Sequence, residues 1–310
     1  MKKLLSVYLC INFLLLTGCQ NAVEVRERAF VQSASFSGNN NISLTLYPFE
    51  EEKDKSYGNG LTIAEAIENT AVFSGKDVFM GHLELLCFDE PDFTEKLESC
   101  LIDYRISPSC KLLYLSEISI LENCDTTLLT DRLTMEEEKG HIPKTDLFHI
   151  LSERKRKDSA ALVPAVTKNS LSMCILKDGS KPYVVSAKAA EGLCWLRGEN
   201  YPERISVSEE NNAVDFEIYS AKTKLSSEIK NNIPYITACI KVKGTGNEQA
   251  ARNIIESQCK AAIEETLERA KSDVIGIDEC LAKDCPEYYA EQDFETVKWA
   301  LNFQCTVEFE

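Results

Sequence analysis

The chain has 310 residues, including 13 cysteines, and its 34 basic and 50 acidic residues give a formal net charge of −16. Proteins that bind nucleic acids need a dense basic surface to neutralise phosphates, so this charge argues against nucleic acid as a partner. Hydrophobic residues at 44% and charged residues at 27% are ordinary for a globular protein and argue against a wholly disordered chain. The many cysteines are typical of proteins that fold in an oxidising compartment.

The first nineteen residues have the features of an export signal in the usual order. Lys2 and Lys3 form a positive start, residues 4–16 carry no charge, and Leu16-Thr17-Gly18-Cys19 follows. The uncharged segment is shorter than the roughly 20 residues of a membrane-spanning helix and has the proportions of a signal peptide. The last four residues resemble the lipobox of bacterial lipoprotein precursors.

The lipobox resemblance implies where the protein resides. It implies that residues 1–18 are removed as a signal peptide and that the Cys19 thiol receives lipid, such as palmitate, which anchors the chain to a membrane. An ordinary signal peptide that happens to contain a cysteine is the alternative. Residues 19–28 are then a lipidated tether. By resemblance to proteobacterial sorting, Gln20 favours the outer membrane, with the soluble body in the periplasm or at the cell surface.

The remaining cysteines are expected to form structural disulfides, because the predicted compartment is oxidising. Cys10 leaves with the signal peptide and Cys19 carries lipid, so an odd number remains and one thiol is left unpaired. The eleven candidates are Cys87, Cys100, Cys110, Cys124, Cys174, Cys194, Cys239, Cys259, Cys280, Cys285 and Cys305. No Cys-x-x-Cys pair occurs and only three histidines are present, so neither a metal site nor a cofactor is predicted.

Residues 29–131 are predicted to form a first α+β domain. Alternating apolar residues predict strands over 29–37, 41–49 and 78–88, and helical spacing predicts a helix over 61–73. A second helix is expected from Pro91 to Leu101, while 110–121 fits either a strand or a short helix. Four candidate cysteines fall in this domain, an even number that suits two closed bridges with three possible connectivities.

Residues 132–170 change in character and predict an interdomain linker. They contain Glu136-Glu137-Glu138-Lys139-Gly140 and the basic run Arg154-Lys155-Arg156-Lys157, and they lack cysteine. A short helix is expected around 145–156. The basic run is interpreted as a solvated, protease-sensitive segment, with binding to an anionic lipid or polyanion as the alternative.

Residues 171–310 are predicted to form a second α+β domain. Strands are expected over 183–187, 214–220 and 235–243, and Val274–Ile277 is a further strand candidate. The strongest element is an amphipathic helix over Asn247–Lys271, for which Thr245 and Glu248 have capping-box spacing. The last ten residues alternate as a strand.

One disulfide follows from the pattern of these two elements. Cys259 lies on the apolar stripe of the predicted helix, and Cys305 lies on the apolar face of the C-terminal strand. If the helix packs on that face, the two thiols meet, so a Cys259–Cys305 bridge is predicted. Cys239 lies on the opposite face of its strand and should have a different partner.

No catalytic residue is predicted. The sequence lacks a nucleophile elbow, a Walker loop, a zinc-protease motif and an EF-hand loop. Gly244-Thr245-Gly246 before a helix is interpreted as a tight turn rather than a phosphate-binding loop. His82, His141 and His149 leave a histidine-assisted hydrolase open as an alternative, because catalytic partners are neighbours in space rather than in sequence. Trp195 is expected to pack against a disulfide.

Two further segments resemble known envelope domains. Residues 42–80, with Leu46-Tyr47-Pro48-Phe49 and Gly60, resemble the start of TolB N-terminal-type domains. Residues 235–275, with Ala238, Gly244 and Ala251-Arg252, are similar to a strand–helix unit of flagellar-associated envelope lipoprotein domains. Both resemblances imply a non-enzymatic adaptor.

The sequence as a whole predicts an α+β protein of two disulfide-stapled domains, with helices packed on mainly antiparallel sheets. The predicted function is a lipid-anchored cell-envelope protein that binds or scaffolds other envelope proteins without catalysis. A periplasmic or surface hydrolase and a surface-exposed adhesin or ligand-binding lipoprotein are the alternatives.

Overall fold

The structure of the chain, a computed structural model, is an α+β fold built on two sheets, which confirms the predicted fold class. It describes residues 28–38, 42–48, 55–90, 92, 96–156, 158, 160–167, 170–177, 180–199, 201–209, 212–292 and 301–310. The predicted signal peptide and nearly all of the tether therefore lie outside the described residues.

The first sheet has nine strands in the order β3-β2-β1-β5-β6-β7-β8-β9, with β4 pairing beside β1. Its centre is parallel, because β5 pairs in parallel with both β1 and β6, while hairpins add antiparallel strands on either side. The strands are β1 (Arg28–Ser37), β2 (Ile42–Pro48), β3 (Ser56–Gly60), β4 (Asp77–Phe79), β5 (Leu85–Phe88), β6 (Lys111–Leu115), β7 (Ala161–Thr167), β8 (Ser170–Leu176) and β9 (Tyr183–Val185).

The second sheet has four strands in sequence order, β10 (Arg204–Glu209), β11 (Asn212–Lys230), β12 (Ile233–Gly246) and β13 (Asn302–Phe309). A long antiparallel hairpin joins β11 to β12, and β13 returns to pair in parallel with β12. The sheets are thus mixed rather than mainly antiparallel. The predicted alternation of the C-terminal strand is confirmed, since Val307 is buried while Asn302, Gln304 and Glu308 are exposed.

Eight helices are present among the described residues. They are α1 (Ile63–Ser74), α2 (Leu97–Ile102), α3 (Thr126–Glu138), α4 (Leu147–Arg154), α5 (Ala187–Arg197), α6 (Glu248–Ile263), α7 (Ile277–Asp284) and α8 (Pro286–Glu291). Side-chain caps define several starts, because an exposed first turn leaves backbone N–H groups without partners. Thr62, Asp146 and Ser186 each accept such a hydrogen bond.

The start of α6 differs from the predicted capping box. The Asn247 side chain accepts a hydrogen bond from the N–H of Ala250 at 3.0 Å, while the Thr245 hydroxyl lies 2.8 Å from the Tyr219 hydroxyl. Gly244-Thr245-Gly246 is not a turn, since it remains in β12 and pairs with β11. After Ile263 the helix widens into a π-helical segment, Glu264–Arg269, and ends two residues before the predicted Lys271.

The two sheets are joined by a shared core rather than by a flexible connection. One face of the first sheet packs on α1, α2 and α4. The other face belongs to a second buried cluster, which includes α5, α6, α7 and the apolar face of β12. Helices α5 and α6 pack closely on one another between the sheets. At their crossing, a Cβ atom on Gly192 would lie 2.1 Å from the Gln258 carbonyl oxygen, so this contact requires glycine.

The predicted linker over residues 132–170 is wrong. These residues contribute the end of α3, all of α4 and all of β7, which pairs with β6 and β8 inside the first sheet. Ala161, Val163 and Ala165 are fully buried on one face of β7. The residues from 171 to 185, predicted to begin the second domain, also belong to the first sheet as β8 and β9. Val274–Ile277 forms a buried loop and the start of α7 rather than a strand.

The predicted disulfide staples are not supported, because all eleven candidate cysteines are free thiols in the structure. Cys87 cannot reach Cys100 or Cys110, since its side chain lies in the core on the opposite face of the first sheet from theirs. Burial raises the pKa of the Cys100 thiol, and that of the Cys174 thiol, to about 12, as expected for inert apolar side chains. These thiols stabilise the fold by packing.

Candidate functional site

The three histidines do not converge on one site. His82 packs against the aromatic rings of Phe30 and Phe79, with centroids 5.9 and 5.5 Å away. The Nδ1 atom of His141 lies 2.7 Å from a Glu136 carboxylate oxygen, and that of His149 lies 2.6 Å from an Asp146 oxygen. The Glu136 contact ties the end of α3 to the segment after it, and the Asp146 contact lies within the first turn of α4.

The predicted Cys259–Cys305 bridge is absent, because both residues are free thiols, although the two cysteines lie in one packed cluster where α6 contacts β13. Cys259 is fully buried on α6, and Cys305 is partly exposed on β13 beside Ala238 of β12. Cys239 pairs with Thr306 in the next register position and therefore lies on the opposite face, as predicted. The expectation that Trp195 packs against a disulfide is wrong, because its ring stacks on Tyr201 and its Nε1 donates to Gln258 at 2.9 Å.

Charged residues from distant parts of the sequence meet where the end of α4 approaches the loop before α7. We call this set the junction cluster, and it consists of Glu153, Arg156, Asp158, Lys177, Arg197, Asp273 and Asp278. Burying so many charges is costly unless each is paired or hydrogen-bonded. The arrangement of the cluster therefore determines how the two sheets are held together.

Asp158 and Asp273 organise one half of the junction cluster. The Asp158 carboxylate accepts from Lys177 Nζ at 2.7 Å and from the backbone N–H of Asp273 at 2.5 Å. Asp273 in turn accepts from the N–H groups of Ile275, Gly276 and Asp278 at 2.9–3.1 Å. These bonds satisfy the donors of a buried loop that contains no regular structure.

Asp278 belongs to the same half, and its carboxyl group has a shifted pKa. Burial, with repulsion from Asp273 as the second cause, raises its pKa from 3.8 to about 6, while Arg156 opposes the shift. The carboxyl group is therefore protonated more readily than an exposed aspartate. Arg156 also donates to Glu279 at 2.9 Å, and its Nη1 atom is buried without a hydrogen-bond partner.

Arg197 and Glu153 form the other half. Arg197 Nη1 pairs with Glu153 and also donates to the carbonyl oxygen of Val274 at 3.1 Å, while Nε pairs with Glu199 at 2.5 Å. The second Glu153 oxygen accepts from the N–H of Leu162 at the start of β7. One guanidinium thus joins α4, α5 and the loop before α7.

Sequence reasoning missed the junction cluster. The basic run was interpreted as solvated, yet Arg156 is only 15% exposed through its side chain and belongs to the cluster. A signal was present, because Ala160-Ala161-Leu162-Val163-Pro164-Ala165-Val166 is a continuous apolar run of the kind found in strands buried on both faces. A buried strand directly after a charged segment forces some of those charges against the core.

The described surface carries a cavity and exposed apolar side chains near one edge of the first sheet. A cavity of about 610 Å³ lies between α6 and β13, and its lining includes Glu256, Glu264 and Glu268. Tyr57 and Leu61, at the outer strand β3, are 61% and 73% exposed. No group of three or more His, Cys, Asp or Glu side chains in the described part is placed to hold a metal ion. No helix in that part has the length and apolar character needed to cross a bilayer.

Comparison with known proteins identifies one family and one solved fold. Residues 173–310 match the sequence model of the family described as spore germination B3/GerAC-like, C-terminal. The chain is also similar to the crystal structure of the GerBC protein, with a TM-score of 0.59 and 17% identity over 87% of this chain and 92% of that one. No curated protein matches the chain.

The two matches cover different parts of the chain. The family match covers most of β8, all of β9, α5–α8 and the whole second sheet, and it includes Lys177, Arg197, Asp273 and Asp278 of the junction cluster. It also covers residues 235–275, for which a flagellar-associated resemblance was expected, and neither match supports that resemblance or the TolB-like one. The match to GerBC extends over most of the chain and shows that both sheets follow a known fold.

Proposed function

We propose that this chain is a lipid-anchored, non-catalytic envelope protein that assembles with other membrane proteins and acts in spore germination. The observation that carries the proposal is the match of residues 173–310 to a germination family, together with the fold shared with GerBC over most of both chains. The Leu16-Thr17-Gly18-Cys19 sequence supports the lipid anchor. Neither match supports an outer-membrane location, so the proposal names only a membrane.

The structure of the body is consistent with a rigid adaptor. The junction cluster and the shared core join the two sheets into one unit, so a partner bound at one sheet is held in a defined position relative to the other. Exposed apolar side chains at β3 and β9, including Tyr57, Leu61 and Val184, offer contact points at both ends of the first sheet. Edge strands of a sheet are common sites for binding a protein partner.

The anchor and the role in germination are tested together. A strain lacking the chain is complemented with the wild type, with Cys19→Ser, or with Cys10→Ser as a matched control that changes another cysteine in the predicted signal peptide. The wild type and Cys10→Ser should sediment with membranes and restore germination. Cys19→Ser should lose lipid and membrane retention and fail to restore it. Normal germination of the deleted strain would contradict the proposed role.

A further inference from the structure

We propose that Cys305 and Cys259 form a thiol–disulfide exchange site, in which Cys305 reacts with a small cationic disulfide and Cys259 then closes an intramolecular bond. The proposal concerns the second sheet and does not depend on the membrane anchor. It assigns a chemical function to two cysteines that are free thiols in the structure.

The first support is the geometry of the pair. Cys305 lies in the middle of β13, opposite Ala238, on the face of the second sheet that α6 covers. Cys259 lies on the buried stripe of α6 with Ile255 and Ala262, and Cys305 packs against the same cluster beside Glu256 and Lys260 of that helix. Two cysteines on packed elements can form a disulfide when their Cα atoms lie within about 7 Å.

The second support is unequal access to solvent. Cys305 lines the 610 Å³ cavity between α6 and β13, whereas Cys259 has no exposed surface. A reagent in the cavity can therefore reach the Cys305 sulfur while Cys259 remains behind it. This arrangement assigns the attacking role to Cys305 and the resolving role to Cys259.

The interaction between the thiols favours the same roles. The interaction between the two thiols lowers the pKa of Cys305 and raises the pKa of Cys259. The thiolate is the nucleophile in disulfide exchange, so the accessible sulfur is also the more reactive one. Burial and Glu256 oppose ionisation of Cys305, but the interaction with Cys259 is the larger effect.

The charge of the cavity selects the reagent. Its ionisable lining includes three carboxylates, Glu256, Glu264 and Glu268, and the ammonium group of Lys260, and Glu264 is paired with Arg269. The excess of negative charge attracts a cationic disulfide and repels an anionic one. Cystamine should therefore react faster than oxidised glutathione, although both carry the same reacting bond.

The reaction balances without any further reagent. The Cys305 thiolate attacks one sulfur of the small disulfide, the S–S bond of that molecule breaks, and one thiolate leaves. The Cys259 thiol then loses its proton to this leaving thiolate and attacks the Cys305 sulfur, which releases the second half of the reagent. Two protein thiols are oxidised to one disulfide, and one small disulfide is reduced to two thiols.

The experiment follows bond formation in the folded, full-length chain extracted from membranes in detergent. The chain is incubated with cystamine or with oxidised glutathione, remaining thiols are blocked by alkylation, and the peptides are identified by mass spectrometry. The wild type should yield a peptide pair joined through Cys259 and Cys305, at least tenfold faster with cystamine. Cys259→Ser should accumulate a mixed disulfide of cysteamine, one half of cystamine, on Cys305, and Cys305→Ser should give neither product. Cys239→Ser, on the other face of β12, is the matched control and should behave as the wild type.

Several outcomes would overturn the proposal. One is modification of Cys259 but not Cys305 in the wild type; another is a Cys239–Cys305 linkage. A third is reaction of both thiols only at denaturant concentrations that unfold the chain, as reported by circular dichroism. Equal rates with the two reagents would contradict the assigned selectivity. If a serine variant fails to fold, the corresponding alanine variant is used, and the linked peptide in the wild type still decides the pairing.

Discussion

Arg197 of α5 and Glu153 of α4 form an ion pair in which the two side chains are only 7% and 3% exposed. Glu153 lies in the part of the chain outside the germination family match, and Arg197 lies inside it. The pair therefore links the family-matched part to the helix that covers the first sheet. Because both side chains are buried, removal of either one leaves an uncompensated charge in the core.

Replacing Arg197 with Met should destabilise the fold by about 3–5 kcal/mol, because it leaves the buried Glu153 carboxylate without its cation. Urea unfolding followed by circular dichroism measures the loss. The matched control is Arg204→Ala, since Arg204 faces Asp215 at 3.8 Å with both side chains exposed, and its loss should cost less than about 0.5 kcal/mol. A cost for Arg197→Met as small as that for Arg204→Ala would contradict the inferred role of the pair.

Asp278→Asn should change how stability depends on pH. An acid with a higher pKa in the folded than in the unfolded chain binds its proton more tightly when folded. Its stabilising effect is complete below pH 3.8 and is lost as the pH rises through about 6. The asparagine variant resembles the protonated form, so it should match the wild type near pH 4 and be more stable at pH 7.

Melting temperatures measured for Asp278→Asn and the wild type between pH 4 and pH 7 test this expectation. Asp273, Arg156, Glu279 and Tyr289 interact with Asp278, and all of them are unchanged in the comparison. The difference between the two curves therefore isolates the Asp278 carboxyl. A difference that shrinks as the pH rises would have the wrong sign.

Gly192→Ala should destabilise the contact between α5 and α6. The added Cβ would lie 2.1 Å from the carbonyl oxygen of Gln258, so the helices must separate. Overpacking of this kind costs about 1–3 kcal/mol, and the better helix propensity of alanine recovers less than about 1 kcal/mol. Lys188→Ala, at an exposed position of the same helix, should be nearly neutral. A Gly192→Ala variant as stable as the wild type in urea would show that the helices are not in close contact.

The sequence predicted the elements whose side chains repeat regularly. The alternation from Asn302 to Phe309 and the apolar stripe of α6 were sufficient to place Cys259 next to Cys305. Periodicity identifies the face that each element buries, and two buried faces near one another in the fold meet.

The parts that the sequence did not predict depend on contacts between distant residues. Asp158 and Asp273 are separated by 115 positions. Nothing in either local pattern indicates that the Asp158 carboxylate accepts a hydrogen bond from the backbone N–H of Asp273. The prediction of a linker over residues 132–170 was wrong for a related reason. The charges near Arg156 were interpreted by composition, whereas the buried strand β7 that follows them sets their environment. The disulfide prediction relied on the predicted oxidising compartment and on the number of cysteines, and neither gives the distances between thiols.

An anchored adaptor of the proposed kind must contact other membrane proteins. Photo-crosslinking residues placed at Tyr57, Val184 and Tyr219, which are 61%, 48% and 61% exposed, sample three strands in intact cells during spore formation. In the wild-type background, mass spectrometry of the adducts should identify an integral membrane protein from at least one position. In Cys19→Ser, the same protein should not be found in the adducts. If no position captured a protein partner while the chain remained folded and membrane-bound, the adaptor role would be contradicted.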